Sequence, residues 1–269
     1  MKKSYVQLCL RHNWGQAVLA EGSVLCVQAA LRLLEMATLA VLGTPTGVAW
    51  YPDPLGRDAL IQGVVLLAAA GLDLLVLSPF KLSREALYWQ LGAAWRPQPP
   101  GSWRRYWGAG RYGQALAWRL HRWARFAWVL FWCWLPALVL LWTGERLRLD
   151  SLRHGAADLT GAAFLLLGVA ALAVGAAAAA LWMLRVRPAA CLVAQGVPVG
   201  RAFRLSPPLM KGHIASFVHL YARYAWKLLS CVLVFPALYV LPLLHTEQAC
   251  RLRKWVKMPP TIEKTTILW

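Results

Sequence analysis

The strongest constraint on this 269-residue chain is a recurrence of apolar runs near the length that crosses a bilayer. About 20 helical residues span a hydrocarbon core of roughly 30 Å. Runs of this kind occupy Leu19–Leu42, Leu60–Phe80, Phe126–Trp142, Leu159–Leu184 and Gly212–Val234. A sixth, Pro236–Cys250, is poorer because His245, Glu247 and Gln248 interrupt it. Lipid offers no hydrogen bonds to a backbone, so such runs must close their own by forming helices. With 59% hydrophobic and 15% charged residues, too little polar side chain remains to coat a soluble domain of this size. The expected fold is all-α: a polytopic transmembrane helical bundle over residues 1–255, followed by a flexible tail at 256–269.

A net charge of +18 would point to nucleic acid in a soluble protein. Here the cations lie between the apolar runs and are mixed with tryptophan, the pattern of topology signals and anionic headgroup contacts. The expected partner is therefore the bilayer and its anionic headgroups, with a membrane-protein partner left open and no nucleic acid. Lys81–Arg125 holds nine Lys or Arg against one Glu, and Arg185–Lys211 holds five and no acid. Six spans with both termini cytoplasmic put 22 Lys and Arg on the inner side and 4 on the outer. The alternative of five spans, with a last crossing at Trp226–Leu244, weakens this bias to 17 against 9. Lys2 and Lys3 precede a stretch too mixed for a signal-peptide core, so the first apolar helix is expected to be retained.

Interfacial amphipathic helices are expected on the inner face, chiefly within 81–125. "SREALYWQLGAAW" can form a short helix capped by Ser83, which "RPQPPG" then breaks. In the following segment Arg111, Arg119, Arg122 and Arg125 fall within about a third of a helix circumference. Nine of the 16 tryptophans lie between Trp89 and Trp134, and arginine with tryptophan suits a helix at headgroup level. "GRAFRLSPPLMKGH" adds Arg201, Arg204 and Lys211 as headgroup contacts. Its Pro207 and Pro208 are expected to end one interfacial helix and let the next begin near Gly212.

Charges inside spans are expensive and are candidates for function. Glu21, Gln28, Arg32 and Glu35 form a polar stripe on the first span, and Asp73 lies within the second. His219, Arg223 and Lys227 repeat every four residues on the fifth. The two stripes are expected either to face each other around a polar cavity or to be satisfied structurally and by snorkelling to headgroups. Gly161, Gly168 and Gly175, seven apart, mark a close-packing helix seam. The six cysteines form no C-x-x-C pair and the histidines no ligand spacing. There is no Walker loop or G-x-S-x-G elbow. No catalytic residue, metal or cofactor is assigned. The expectation is a non-enzymatic accessory or envelope-associated membrane protein, with a small transporter or lipid-handling protein as the alternative.

Four segments in order carry a resemblance: "LRHNWGQAVLA", "LSPFKLSREALYWQLG", "RYGQALAWRLHRWARFAWVLFWCWLP" and "GRAFRLSPPLMKGH" with the "FVHLYARYAWKLL" and "LPLL" that follow it. Together the chain resembles the uncharacterised bacterial integral-membrane family termed domain of unknown function 975. Ala202, Ser206, Leu209, Met210, Gly212 and Trp226 match its motif of Ala-x-x-x-Ser-x-x-Leu-Met-x-Gly before a span with a central tryptophan. Pro242 departs from it, being followed by Leu243 where the family usually has tyrosine. The resemblance implies a six-helix protein of the bacterial inner membrane and no particular activity.

Overall fold

The computed structural model describes residues 3–44, 56–92, 101, 104–108, 110–154, 159–229 and 234–255. The expected proline break at 96–100 and the tail at 256–269 lie outside them. Among the described residues there are nine helices and no strand: α1 (Lys3–Arg11), α2 (Trp14–Val41), α3 (Arg57–Leu91), α4 (Tyr112–Arg153), α5 (Leu159–Arg185), α6 (Pro188–Ala194), α7 (Val199–Met210), α8 (Ile214–Leu229) and α9 (Val234–Trp255).

Four stretches are long and apolar enough to cross a membrane: α2, α3, α4 to Leu152, and Leu159–Ala194, which includes α5. Their middles turn large apolar side chains outward, among them Leu33, Leu67, Trp128 and Leu166. Water would penalise that surface and acyl chains would not. The expected fifth and sixth spans fall on α8 and α9, which do not reach this combination of length and hydropathy among the described residues. Residues 230–233 of the expected fifth span lie outside the described residues.

Two of the expected helix breaks are absent. The second apolar run does not stop near Phe80, because α3 continues through Pro79 to Leu91. Ser83 is thus inside a helix and caps nothing; its hydroxyl accepts the Tyr106 N–H at 3.1 Å. A proline within a helix frees the carbonyl four residues earlier. For Pro79 that carbonyl belongs to Leu75, and the Tyr112 hydroxyl donates to it at 2.8 Å. The same device acts in α7, which continues through Pro207 and Pro208 to Met210. Here the freed Phe203 carbonyl accepts from Arg125 at 3.4 Å. Donors on α4 thus reach the carbonyls that Pro79 and Pro207 free, and both helices continue past these prolines, as α4 does past Pro136 and α9 past Pro242. The elbow itself comes later, at Gly212, whose φ of +83° suits a residue without Cβ.

The long helices pair as antiparallel hairpins. In α4–α5 the glycine seam packs as expected. A Cβ at Gly168 would lie 2.6 Å from Leu141 Cγ, and one at Gly175 would lie 2.9 Å from the Cys133 carbonyl oxygen. In α2–α3, Ala17 and Ala20 pack with Leu87, Tyr88 and Leu91. Both hairpins are rooted at one end in a common base. Its core joins the C-terminal parts of α3 and α5 to the N-terminal part of α4 and to α6, α7 and α8, through Trp89, Trp118, Val193, Phe203 and Phe217. The helix α9 crosses the same end, with Leu238 beside Gly22 and Ala249 against Gly92.

Candidate functional site

The base contains a chain of alternating charges assembled from distant segments. Glu21, fully buried on α2, accepts from Arg84 of α3 at 3.1 Å and lies 2.6 Å from His245 Nδ1 of α9. The other Arg84 nitrogen lies 3.4 Å from Glu85. Glu85 in turn holds Arg187, in the short link between α5 and α6, at 2.9 Å. The end of the chain is Gln248, whose carbonyl oxygen accepts from Arg187 at 3.1 Å. Two carboxylates thus face two guanidiniums, each pair shielded from water but not left single. Isolated buried charges would cost several kcal/mol each, roughly, and mutual pairing offsets most of it. The chemistry of this chain is that of a fastening among α2, α3, α9 and the α5–α6 link.

Two smaller clusters flank it. Asp73 of α3 pairs with Arg119 of α4, which also donates to the Asp73 carbonyl at 2.7 Å. Glu247 of α9 accepts from Arg223 and from the Tyr224 hydroxyl (3.1 Å) of α8, and from Arg251 at 2.9 Å. Arg251 reaches on to the Ser216 carbonyl at 2.8 Å, tying α9 to the start of α8. Burial opposes ionisation of Glu247, but the hydrogen bonds from Arg251 and Arg223 outweigh it and hold the carboxyl below its usual range.

The residues singled out from the sequence are divided among these clusters. Glu21 meets Arg84 and His245 and no member of the α8 stripe. Arg32 and Glu35 pair locally at 2.5 Å on the outward face of α2, where Gln28 is also exposed. Asp73 meets Arg119, and Arg223 meets Glu247. The two stripes therefore do not face each other: α9 lies against both α2 and α8, bringing His245 to Glu21 and Glu247 to Arg223. His219, Arg223 and Lys227 point to the exposed side of α8.

The expected headgroup arginines are also divided. Arg111, Arg201, Arg204 and Lys211 are exposed. Arg119 is buried on Asp73, Arg122 lies over the Trp118 ring at 5.7 Å, and Arg125 lies over Phe203 at 5.1 Å. The shared face of these last three is turned toward the base, where acids, rings and freed carbonyls receive it.

Sequence reasoning passed over Arg84, Glu85, Arg187 and Arg251, and gave no role to His245, Glu247 or Gln248. One signal was available: Glu85 is the sole acid among nine cations in Lys81–Arg125, an isolated charge that calls for an internal partner. No group of three or more metal-ligating side chains occurs among the described residues. None of the described cysteines forms a disulfide, and Cys9, Cys191 and Cys250 are buried. A comparison with protein families, curated proteins and solved structures finds no match to this chain.

Proposed function

We infer that the chain is a four-span integral protein of the bacterial cytoplasmic membrane, with the helical base and both termini on the cytoplasmic side. Its role is that of a non-enzymatic accessory or envelope-associated factor. Placing α8 and α9 with the base assigns 24 of the 29 Lys and Arg to the inner side and 4 to the outer, a stronger bias than six spans give. The observation that carries the reading against transport is the commitment of Glu21, Asp73, Glu85 and Glu247 to arginine partners. A carrier needs polar groups that can exchange protein partners for cargo. These join helices to one another.

The test uses a variant retaining only the native Cys231 and a membrane-impermeant maleimide added to intact cells. Four spans predict no labelling from outside; labelling would restore the six-span topology. A second variant carrying its only cysteine at Val24, one turn from Glu21, probes transport. Protection from aqueous reagents on both sides is expected, and modification there would favour a water-filled path.

A further inference from the structure

A cavity of about 440 Å³ opens where α1, the start of α2 and the middle of α9 meet. That volume lies in the range of small-molecule sites, roughly 300–1,000 Å³. α1 builds one wall. At about 100° per residue its buried Val6, Cys9 and Leu10 fall on one side, and the exposed Gln7, Leu8 and Arg11 on the other. Tyr239 and Leu243, one turn apart on α9, form the opposite wall. Trp14 of α2 tilts against Tyr239, with ring centroids 5.4 Å apart. The lining is therefore aliphatic or aromatic except at one rim, where Gln7 and Arg11 stand one turn apart.

We propose that this groove binds one anionic phospholipid, its phosphate on Arg11 and Gln7 and an acyl chain along Trp14, Tyr239 and Leu243. The lining carries one cation and no acid, and Arg11 pairs with no acid among the described residues. One phosphodiester therefore balances one guanidinium, in a charge-assisted contact. The groove also lies where acyl chains are at hand. Trp14 is the first residue of α2, whose length and hydropathy suit a membrane crossing. Tryptophan and tyrosine gather at the edge of the hydrocarbon region, where one end of the ring is apolar and the other wet. Leu8 (43% exposed) and Tyr239 (55%) leave the mouth open. A soluble anion would use Arg11 and leave these apolar side chains in water.

This inference rests on α2 crossing the membrane and holds for either orientation of the base. The experiment uses the purified full-length protein in phosphatidylcholine nanodiscs. They carry a small fraction of phosphatidylglycerol with a photoactivatable diazirine in its acyl chain. Adducts are mapped to residues by mass spectrometry and compared with those from the phosphatidylcholine analogue at the same fraction. Both lipids should mark the outward faces of the long helices, at Leu33 and Trp128 for example. An excess from the anionic lipid is expected at Leu8, Trp14, Tyr239 and Leu243. Arg11→Gln should lower that excess about fivefold, the worth of one cation near an anionic surface. Arg11→Lys should retain most of it. Leu8→Glu places an acid at i,i+3 from Arg11 and should abolish it. Lys254→Gln removes an exposed cation outside the groove and should leave the excess unchanged.

Equal marking of the groove by both lipids, or an excess that survives Arg11→Gln, overturns the proposal. So does an equal loss in Lys254→Gln, since diffuse attraction to the base would then explain it. Displacement of the excess by soluble glycerophosphate also overturns it, because the site would then hold a free phosphate. Far-ultraviolet dichroism checks that each variant is folded, and all three substituted positions are exposed. Absence of adducts at Leu33 and Trp128 from either lipid would reject the membrane reading itself. Adducts there without an anionic excess at the groove would reject only the lipid site.

Discussion

Neutralising Glu85 is the sharpest test of the charge chain in the base. Glu85→Gln keeps the shape and removes the charge. Arg84 retains Glu21 at 3.1 Å, so the loss falls on Arg187, which gives up its 2.9 Å partner and keeps only neutral Gln248. The Arg187 side chain is 13% exposed, too little for water to replace the carboxylate. Stranding a buried charge in this way costs about 3–5 kcal/mol. Arg187→Gln strands Glu85 less severely, because Arg84 remains 3.4 Å away, and should cost about 3 kcal/mol or somewhat less. In the double variant Glu21 and Arg84 are still balanced and neither orphan remains. Its cost should therefore fall below that of either single change, with a coupling of about 3 kcal/mol or more. The measurement is reversible unfolding in mixed dodecyl maltoside and SDS micelles, followed by far-ultraviolet dichroism. A double variant as destabilised as the sum of the two singles would refute the reasoning, because the two residues would then act independently.

Two further predictions concern helix contacts. Gly175→Ala should destabilise by about 1–3 kcal/mol through overpacking, since the new methyl meets the Cys133 carbonyl oxygen at 2.9 Å. Gly71→Ala, where nothing lies within 4 Å, should be neutral or stabilising by about 1 kcal/mol, and the same micelle titration compares them. Tyr112→Phe should cost about 1 kcal/mol by leaving the Leu75 carbonyl without its 2.8 Å donor. In a Pro79→Ala background residue 79 regains its amide hydrogen and bonds that carbonyl, so the Tyr112 change should then cost little.

Periodicity and composition made part of this molecule legible. The apolar runs ending near Leu42, Phe80, Trp142 and Leu184 correspond to the outward-facing lengths of α2 to α5. The seven-residue spacing of Gly161, Gly168 and Gly175 specified a seam that α4 occupies. Local rules failed where a distant group altered their terms. Tyr112 and Arg125 donate to the carbonyls that Pro79 and Pro207 free, and α3 and α7 continue past both prolines.

Charge partners depended even more on tertiary structure. The helical wheel placed Arg119, Arg122 and Arg125 on one face, but could not say whether headgroups or the base would receive it. Glu21 and His245 are 224 residues apart, and Glu85 and Arg187 about a hundred. No spacing rule links such pairs, because contacts across a bundle depend on how helices cross and not on their internal period. The sequence by itself therefore determined the helical class and the places of the four long apolar stretches, because both follow from local periodicity and composition. Only the packing of α9 and the α5–α6 link against the ends of α2 and α3 decided which charges are consumed inside the base. The same packing left the α8 row and the exposed Trp226 facing outward.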